Sequence, residues 1–186
     1  MVIGERVYLA ILALVTAERI AELVISRRNA DRALARGGVE SGQAHYRVMV
    51  ALHSAFILAC TVESLTIVRP IPAALSTGAL AIVIGAQGLR YWAIWTLGER
   101  WNTRIIVMPS APPVTGGPYR FIRHPNYLAV TLEIAALPLI RANWYTAIGF
   151  SILNALILAV RIPSEERALG AGYRDAFASR RRFIPL

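Results

Sequence analysis

The sequence predicts an all-α, polytopic membrane protein with five transmembrane helices and a cytoplasmic lobe formed by the third connection and the C-terminal tail. Hydrophobic residues make up 56% of the 186 residues, and the mean hydropathy is +0.50. The apolar residues come in blocks that approach the ~20 residues a helix needs to cross a bilayer. The net charge is +9, and all the basic residues are arginines that cluster at the ends of these blocks. Arginines placed in this way indicate which side of the membrane each connection faces.

Five apolar segments account for the predicted helices, over 3–25, 48–68, 71–97, 128–140 and 144–160. The fourth is short unless it begins near Pro125. A three-residue turn separates it from the fifth, so these two are predicted to form an antiparallel hairpin over about 125–160. Pro70 and Pro72 require a tight connection between the second and third segments, because proline removes a backbone donor and restricts the residue before it.

The distribution of arginines orients these helices. Arginines are concentrated in the first connection, the third connection and the tail, whereas the opposite side has only Arg6, Arg69 and Arg141. The positive-inside rule then predicts an outer N-terminus and a cytoplasmic C-terminus, in a bacterial inner (plasma) membrane. The basic charge therefore favours membrane lipids as partners and argues against nucleic acid. We treat 1–186 as one integral membrane domain, with a three-helix half at 1–97 and a second half at 98–186.

The stretch GGPYRFIRHPNYLAV, residues 116–130, places a polar cluster between apolar blocks. It belongs to an ordered set: Val114-Thr115-Gly116-Gly117-Pro118-Tyr119, Arg123-His124-Pro125-Asn126-Tyr127, an apolar hairpin, Arg161, Glu165-Glu166, Leu169, Tyr173 and a closing Arg-Phe-Ile-Pro. This set resembles the isoprenylcysteine carboxyl methyltransferase family, which are integral membrane enzymes that use S-adenosylmethionine. The resemblance extends from Trp101 to the end of the chain, and it implies that the half at 98–186 binds the cofactor.

The resemblance also implies roles for individual residues. Those expected to bind S-adenosylmethionine are Pro113, Val114, Tyr119, His124, Pro125, Asn126, Tyr127 and Glu165, with no metal involved. Arg161 matches the arginine that contacts the substrate. It precedes Glu165 by four residues, so both lie on one helix face if the fifth helix continues through Pro163. The alternatives are a kink at Pro163 or a new helix that begins at 164–166, interrupted near Gly170 in either case.

The N-terminal half carries further ionisable groups. Glu18, Arg19 and Glu22 fall at the cytoplasmic end of the first helix, at spacings of three and four residues that allow them to pair. Charged groups at membrane depth are candidates for function, so we predict that all three bind substrate. His45 or His53 is a candidate general base for an acceptor hydroxyl. The alternative is that these groups only hold the first helix to the second.

Three functions remain open at this point. The first is O-methylation of a lipid-soluble enol or phenol. It is implied by the N-terminal half, which resembles bacterial family members that O-methylate long-chain alkylresorcinols and alkylpyrones made by type III polyketide synthases. The same resemblance implies coupling to such a synthase. The second is carboxyl methylation of an isoprenylcysteine-like thioether acid. The third is a membrane scaffold without enzymatic activity. Transport is disfavoured because the polar groups gather at one face, with His53 and Glu63 as the exceptions.

Overall fold

Helices make up most of the protein, and their bounds come from a computed structural model that describes residues 2–109 and 111–184. The elements are α1 (Glu5–Ala35), β1 (Val39–Ser41), α2 (Gln43–Thr66), α3 (Ala73–Leu97), β2 (Ile105–Val107), α4 (Pro125–Leu139) and α5 (Trp144–Ala176). Two short 3-10 turns, Gly98–Arg100 and Gly117–Arg120, interrupt the third connection. The all-α prediction is confirmed. An antiparallel ribbon of β1 and β2, which was not predicted, joins the first connection to the third.

Three helices in the described part of the chain are long and apolar enough to cross a bilayer: Tyr46–Thr66, Ala73–Arg100 and Trp144–Ala176. α1 carries charged residues in its middle. α4 has 15 residues and is therefore roughly 22 Å long, less than the ~30 Å hydrocarbon layer. The protein is polytopic, and the count of five spans stays a prediction.

α4 occupies the centre of the bundle, between α3 and α5, and α5 also packs on α2. Buried alanines recur every seven residues on α3, at Ala79, Ala86 and Ala93, and on α4, at Ala129 and Ala136. Small side chains at this spacing let two helix backbones approach closely, which is a common way for membrane helices to associate. The central pair of helices is thus held by close backbone packing.

The two ends of the bundle are packed differently. At the end predicted to lie outside, α1 to α4 share an apolar core that includes Tyr8, Leu12, Phe56, Val83 and Leu137. α1 contacts α2 there, and further along the chain it meets the third connection instead. Space therefore opens among the helices at the end that is predicted to be cytoplasmic.

Several element boundaries differ from the prediction. α1 continues ten residues past 25, where arginines are compatible with a helix and Asn29 is held by the third connection. α4 begins at Pro125, as the short fourth segment required. α5 neither kinks sharply nor restarts at Pro163; its backbone leaves the helical region only at Gly170, where φ is 79°. Arg161 and Glu165 therefore do lie on one continuous helix.

Candidate functional site

A cavity of about 1150 Å³ lies at the open end of the bundle. We divide it into two lobes. The loop-side lobe is lined by Tyr119, His124, Asn126, Tyr127, Glu165 and Tyr173, from the third connection, α4 and α5. The helix-side lobe is lined by Thr16, Arg19, Glu22, His53, Ile57 and Arg90, from α1, α2 and α3. The cavity thus brings the polar cluster at 116–130 next to the charged residues of the N-terminal half.

The loop-side lobe depends on a close contact between the third connection and α3. Gly117 has a φ of 53°, and a Cβ there would lie 2.2 Å from Oγ1 of Thr96. Only glycine fits both the conformation and the space. The 3-10 turn that follows consequently carries Tyr119 into the lobe. Burial raises the pKa of Tyr119 above that of an exposed phenol, so this side chain stays uncharged.

The C-terminal tail closes the loop-side lobe. The backbone amides of Arg123 and His124 donate to the carbonyls of Arg181 and Arg182, at 3.0 and 3.1 Å. His124 Nε2 donates to Glu166 at 3.0 Å, and Arg182 donates to the same carboxylate through Nε and Nη2. The hydrogen bond to Glu166 raises the pKa of the Arg182 guanidinium. The tail and the start of α4 thereby form one wall.

A chain of hydrogen bonds joins the two lobes. Arg161 Nε donates to the Tyr127 hydroxyl at 2.8 Å, and that hydroxyl donates to Glu165. Arg161 Nη2 also donates to the carbonyl of Thr103 at 2.6 Å, whereas its Nη1 is buried with no partner among the described residues. The guanidinium is thus fixed in place with one nitrogen, Nη1, unused.

Glu165 differs from the other glutamates of the protein. Across residues 2–109 and 111–184, eight of the nine glutamates have an arginine nitrogen within 4.0 Å, and Glu165 does not. Its hydrogen-bond donor in this part of the chain is the neutral hydroxyl of Tyr127. A partly buried carboxylate without a cation carries uncompensated negative charge. The loop-side lobe therefore favours a ligand that bears positive charge.

The segment from Trp101 to Arg104 lies between the lobes. Asn29 of α1 donates to the Trp101 carbonyl at 2.8 Å, and the Ser26 hydroxyl donates to Oδ1 of Asn102 at 2.9 Å. The Trp101 indole is buried and lines the cavity, and its Nε1 has no partner among the described residues. The sequence could not place this segment, because its partners are more than 70 residues away on α1.

A buried network of ion pairs borders the helix-side lobe. Arg90 of α3 pairs with Glu133 of α4 at 3.0 Å and with Glu22 of α1 at 3.4 Å. Arg19 pairs with the same Glu22 oxygen at 2.9 Å. Three helices are therefore joined by charge. The sequence analysis missed Arg90 and Glu133, since each is a single charge in an apolar run with no partner nearby in sequence.

The structure brings most of the predicted site residues to the cavity. Those that line it are Pro113, Val114, Tyr119, His124, Asn126, Tyr127, Glu165, Arg161, Arg19, Glu22 and His53. Pro125 and Glu18 do not line it: the ring of Pro125 is fully buried at the first position of α4, and Glu18 faces α3, where it accepts hydrogen bonds from Gln87 and Tyr91. Their roles in binding stay predictions. The side chain of His45 lies outside the described residues.

Fold and cavity together define a class of protein. The chain is a helical membrane protein in which a cavity with one uncompensated carboxylate continues into a lobe with a buried charge network. Such a cavity suits a polar ligand in one lobe and a second ligand in the other.

The chain belongs to the isoprenylcysteine carboxyl methyltransferase (ICMT) family, whose sequence profile matches residues 79–171. It is similar to the uncharacterized protein YpbQ of Bacillus subtilis, with 37% identity over 159 residues, or 86% of this chain and 94% of YpbQ. It is also similar to an uncharacterized protein of Haemophilus influenzae, with 31% identity over 158 residues, or 84% and 91% of the two chains. The protein is thus a membrane methyltransferase.

Proposed function

We propose that this protein transfers a methyl group from S-adenosylmethionine to an oxygen of a lipophilic acceptor, an enol or phenol with a long alkyl chain such as an alkylpyrone or alkylresorcinol. The loop-side lobe holds the methyl donor and the helix-side lobe holds the acceptor. A type III polyketide synthase that makes such acceptors would be a functional partner.

The observation that carries the proposal is the lack of an arginine partner at Glu165. S-adenosylmethionine has a sulfonium and an ammonium group, so a carboxylate without a cation in a partly buried lobe is a matching charge. A lobe that selected an anionic ligand would be expected to have an unpaired arginine at this position instead.

The other residues of the loop-side lobe also fit this ligand. Asn126 has a buried Oδ1, and Trp101 a buried Nε1, that lack partners among the described residues. The ribose and adenine of the donor have both hydrogen-bond donors and acceptors, which can satisfy such groups. Tyr119 and Tyr173 add aromatic surface beside them. The proposed methyl transfer needs no metal ion.

Bound S-adenosylmethionine supplies an electrophilic methyl group on a positively charged sulfur. Glu165 would hold the donor's positive charge, and Tyr127 would fix the orientation of that carboxylate. Arg161 would direct its unused Nη1 donor towards the acceptor oxygen, held in place by its bonds to Tyr127 and Thr103. This positioning of the two reactants is the main catalytic contribution we assign to the lobe.

A second candidate is methylation of an isoprenylcysteine-like carboxylate. The unused guanidinium nitrogen of Arg161 favours it, because arginine binds carboxylates well. Against it stands the network of Arg90, Glu22 and Glu133, since a plain isoprenyl tail would leave these charges without any polar partner from the ligand. Incubation with labelled donor and matched alkylpyrones, alkylresorcinols and prenylcysteines separates the two.

The test of donor binding is isothermal calorimetry of the purified protein with S-adenosylhomocysteine. We expect Glu165→Ala to weaken binding by about 30-fold or more, because removing one partner of a buried charge pair costs at least ~2 kcal/mol. The matched control is Glu5→Ala, which removes the same charge from an exposed site at the opposite end of the bundle.

The outcomes of this titration are distinct. Binding by the wild type and by Glu5→Ala, with loss in Glu165→Ala, supports the proposal. Equal affinity in all three proteins removes Glu165 from the site. Absence of binding by well-folded wild type overturns the assignment of the donor.

A further inference from the structure

The acceptor proposed above is a phenol or an enol, with a hydroxyl as its reacting group. An alkylphenol is largely protonated at neutral pH, so it is expected to bind as a neutral hydroxyl. The cavity must then also provide for the hydroxyl proton.

A neutral hydroxyl is a weak nucleophile. A phenol has a pKa of about 10, as in tyrosine, so at neutral pH its proton must leave as the new bond forms. The cavity must accordingly contain a group that accepts a proton and is not itself an anion held by arginines. Glu22 fails this requirement, because one of its oxygens binds both Arg19 and Arg90.

His53 meets the requirement by geometry. Its Nδ1 lies 2.7 Å from the carbonyl oxygen of Met49, one turn earlier on α2. A carbonyl oxygen only accepts hydrogen bonds, so Nδ1 carries the proton and Nε2 keeps its lone pair. Nε2 has no hydrogen-bond partner among the described residues, and the ring lines the helix-side lobe. A second imidazole that lines the cavity, that of His124, is bound through Nε2 to Glu166.

We propose that His53 is the general base of the methyl transfer, an inference that rests on the function proposed above. Nε2 of His53 takes the proton from the acceptor hydroxyl. The acceptor oxygen then forms a bond to the methyl carbon as the bond between that carbon and sulfur breaks. The products are a methyl ether and the neutral thioether S-adenosylhomocysteine, and the imidazolium returns its proton to water.

The charged groups that face His53 across the cavity come from every neighbouring helix. Those that line the cavity are Arg19 and Glu22 on α1, Arg90 on α3 and Arg161 on α5, and Glu133 on α4 lies behind them, paired with Arg90. Because three of these are arginines, protonation of His53 adds a further positive charge to the lobe. The rate should fall as the pH drops and Nε2 becomes protonated, since the protonated ring has no lone pair to accept the hydroxyl proton.

The experiment compares wild type with His53→Gln in lipid nanodiscs, using an alkylphenol series of increasing acidity. We expect kcat to fall by about 100-fold or more, with the acidic limb of the pH profile lost and S-adenosylhomocysteine affinity unchanged. The loss should shrink as the acceptor becomes more acidic, because an acidic hydroxyl needs less help from a base. Thr66→Ala is the matched control, from an exposed position of the same helix that does not line the cavity. It should retain wild-type kcat.

A His53→Gln protein that retains kcat and the acidic limb overturns the inference. The same is true if His45→Gln, and not His53→Gln, removes that limb. If His53→Gln does not fold, His53→Ala is tested with added imidazole, and rescue of kcat by imidazole supports the base whereas its absence counts against it. Failure of the proposed function looks different, because the wild type itself would then bind no S-adenosylhomocysteine and methylate none of the acceptors.

Discussion

At the residue scale, the direction of one hydrogen bond organises the site. Tyr127 has a single proton, and because Arg161 Nε already donates to its oxygen, that proton goes to Glu165. Arg161 and Glu165 are thus coupled through a neutral phenol and form no salt bridge within 4.0 Å. The carboxylate remains available for a cationic ligand, which direct pairing with the arginine would prevent.

This geometry predicts the effect of Arg161→Lys. Lysine keeps the charge but cannot reproduce the planar fork that binds both Tyr127 and Thr103. We expect kcat to fall by about 10- to 100-fold, with S-adenosylhomocysteine affinity changed by less than about threefold. Single-turnover kinetics and calorimetry measure the two effects. Arg167→Lys, on the exposed face of the same helix, is the control, and normal turnover in Arg161→Lys would refute the role of Arg161 at the acceptor.

The sequence analysis could name residues of the loop-side lobe because an ordered set of motifs, from the polar cluster at 116–130 to Glu165 and Tyr173, resembles a known family. It grouped Glu18 with Arg19, although residues 18 and 19 point about 100° apart on a helix. Glu18 consequently faces α3, whereas Arg19 faces the cavity. Arg90 gave no signal, since its partners on α1 and α4 become neighbours only after folding.

At the scale of elements, α5 is a continuous helix through Pro163. A proline removes one backbone hydrogen bond, and neighbouring helices in a membrane protein tolerate this. Gly170 ends the regular geometry instead, with a φ of 79° that other residues rarely adopt. The sequence indicated both positions, and propensity alone could not decide which one would break the helix.

The start of α5 is capped by a side chain from another helix. Glu63 of α2 accepts hydrogen bonds from the amide of Tyr145 at 3.3 Å, and from the amide and hydroxyl of Thr146 at 2.8 and 2.7 Å. Arg69 donates to the same carboxylate at 2.6 Å. The first amides of a helix lack internal partners, so this carboxylate satisfies them and interacts favourably with the helix dipole.

Glu63→Ala should therefore destabilise the protein without affecting the cavity. We expect a loss of about 2 kcal/mol, seen as a Tm lower by roughly 4–8 °C in detergent, because the buried amides lose their partner. S-adenosylhomocysteine affinity should be unchanged, since Glu63 lies at the opposite end of the bundle from the cavity. Glu5→Ala serves as the control, and an unchanged Tm for Glu63→Ala would show that the cap contributes little.

At the scale of the whole molecule, the number of spans decides on which side of the membrane each terminus lies. Three helices qualify by length and hydropathy, and α1 and α4 do not. We predict that both nevertheless cross the membrane, because α4 is central to the bundle and α1 shares its apolar core. The charges in the middle of α1, at Glu18, Arg19 and Glu22, pair with residues of α3 and α4.

Cysteine labelling tests this topology. Single cysteines at Val2 and Ser179, in a protein where the buried Cys60 is replaced by alanine, should react from opposite sides of the membrane. An odd number of spans requires opposite sides, and we expect Val2→Cys to react from outside and Ser179→Cys only from the cytoplasm. Labelling of both from one side would contradict five spans.

The fold class could be predicted because hydropathy and arginine placement act over whole segments. The ribbon of β1 and β2 could not be predicted, because strands of three residues are too short to show a hydrophobic periodicity. The length of α1 past residue 25 was also hidden, because it is stabilised by contacts such as that of Asn29 with the third connection. Long-range partners, which a single sequence does not reveal, account for these differences.

The pairing of the tail with the start of α4 has a consequence for biosynthesis. Arg181 and Arg182 provide the carbonyls that bind the amides of Arg123 and His124, so the wall of the loop-side lobe needs both ends of this pairing. A ribosome makes the helices first, and they can enter the bilayer while the tail is still being translated. The nascent chain would therefore pass through membrane insertion with its ligand site unfinished, and it would become competent only after the tail is synthesised.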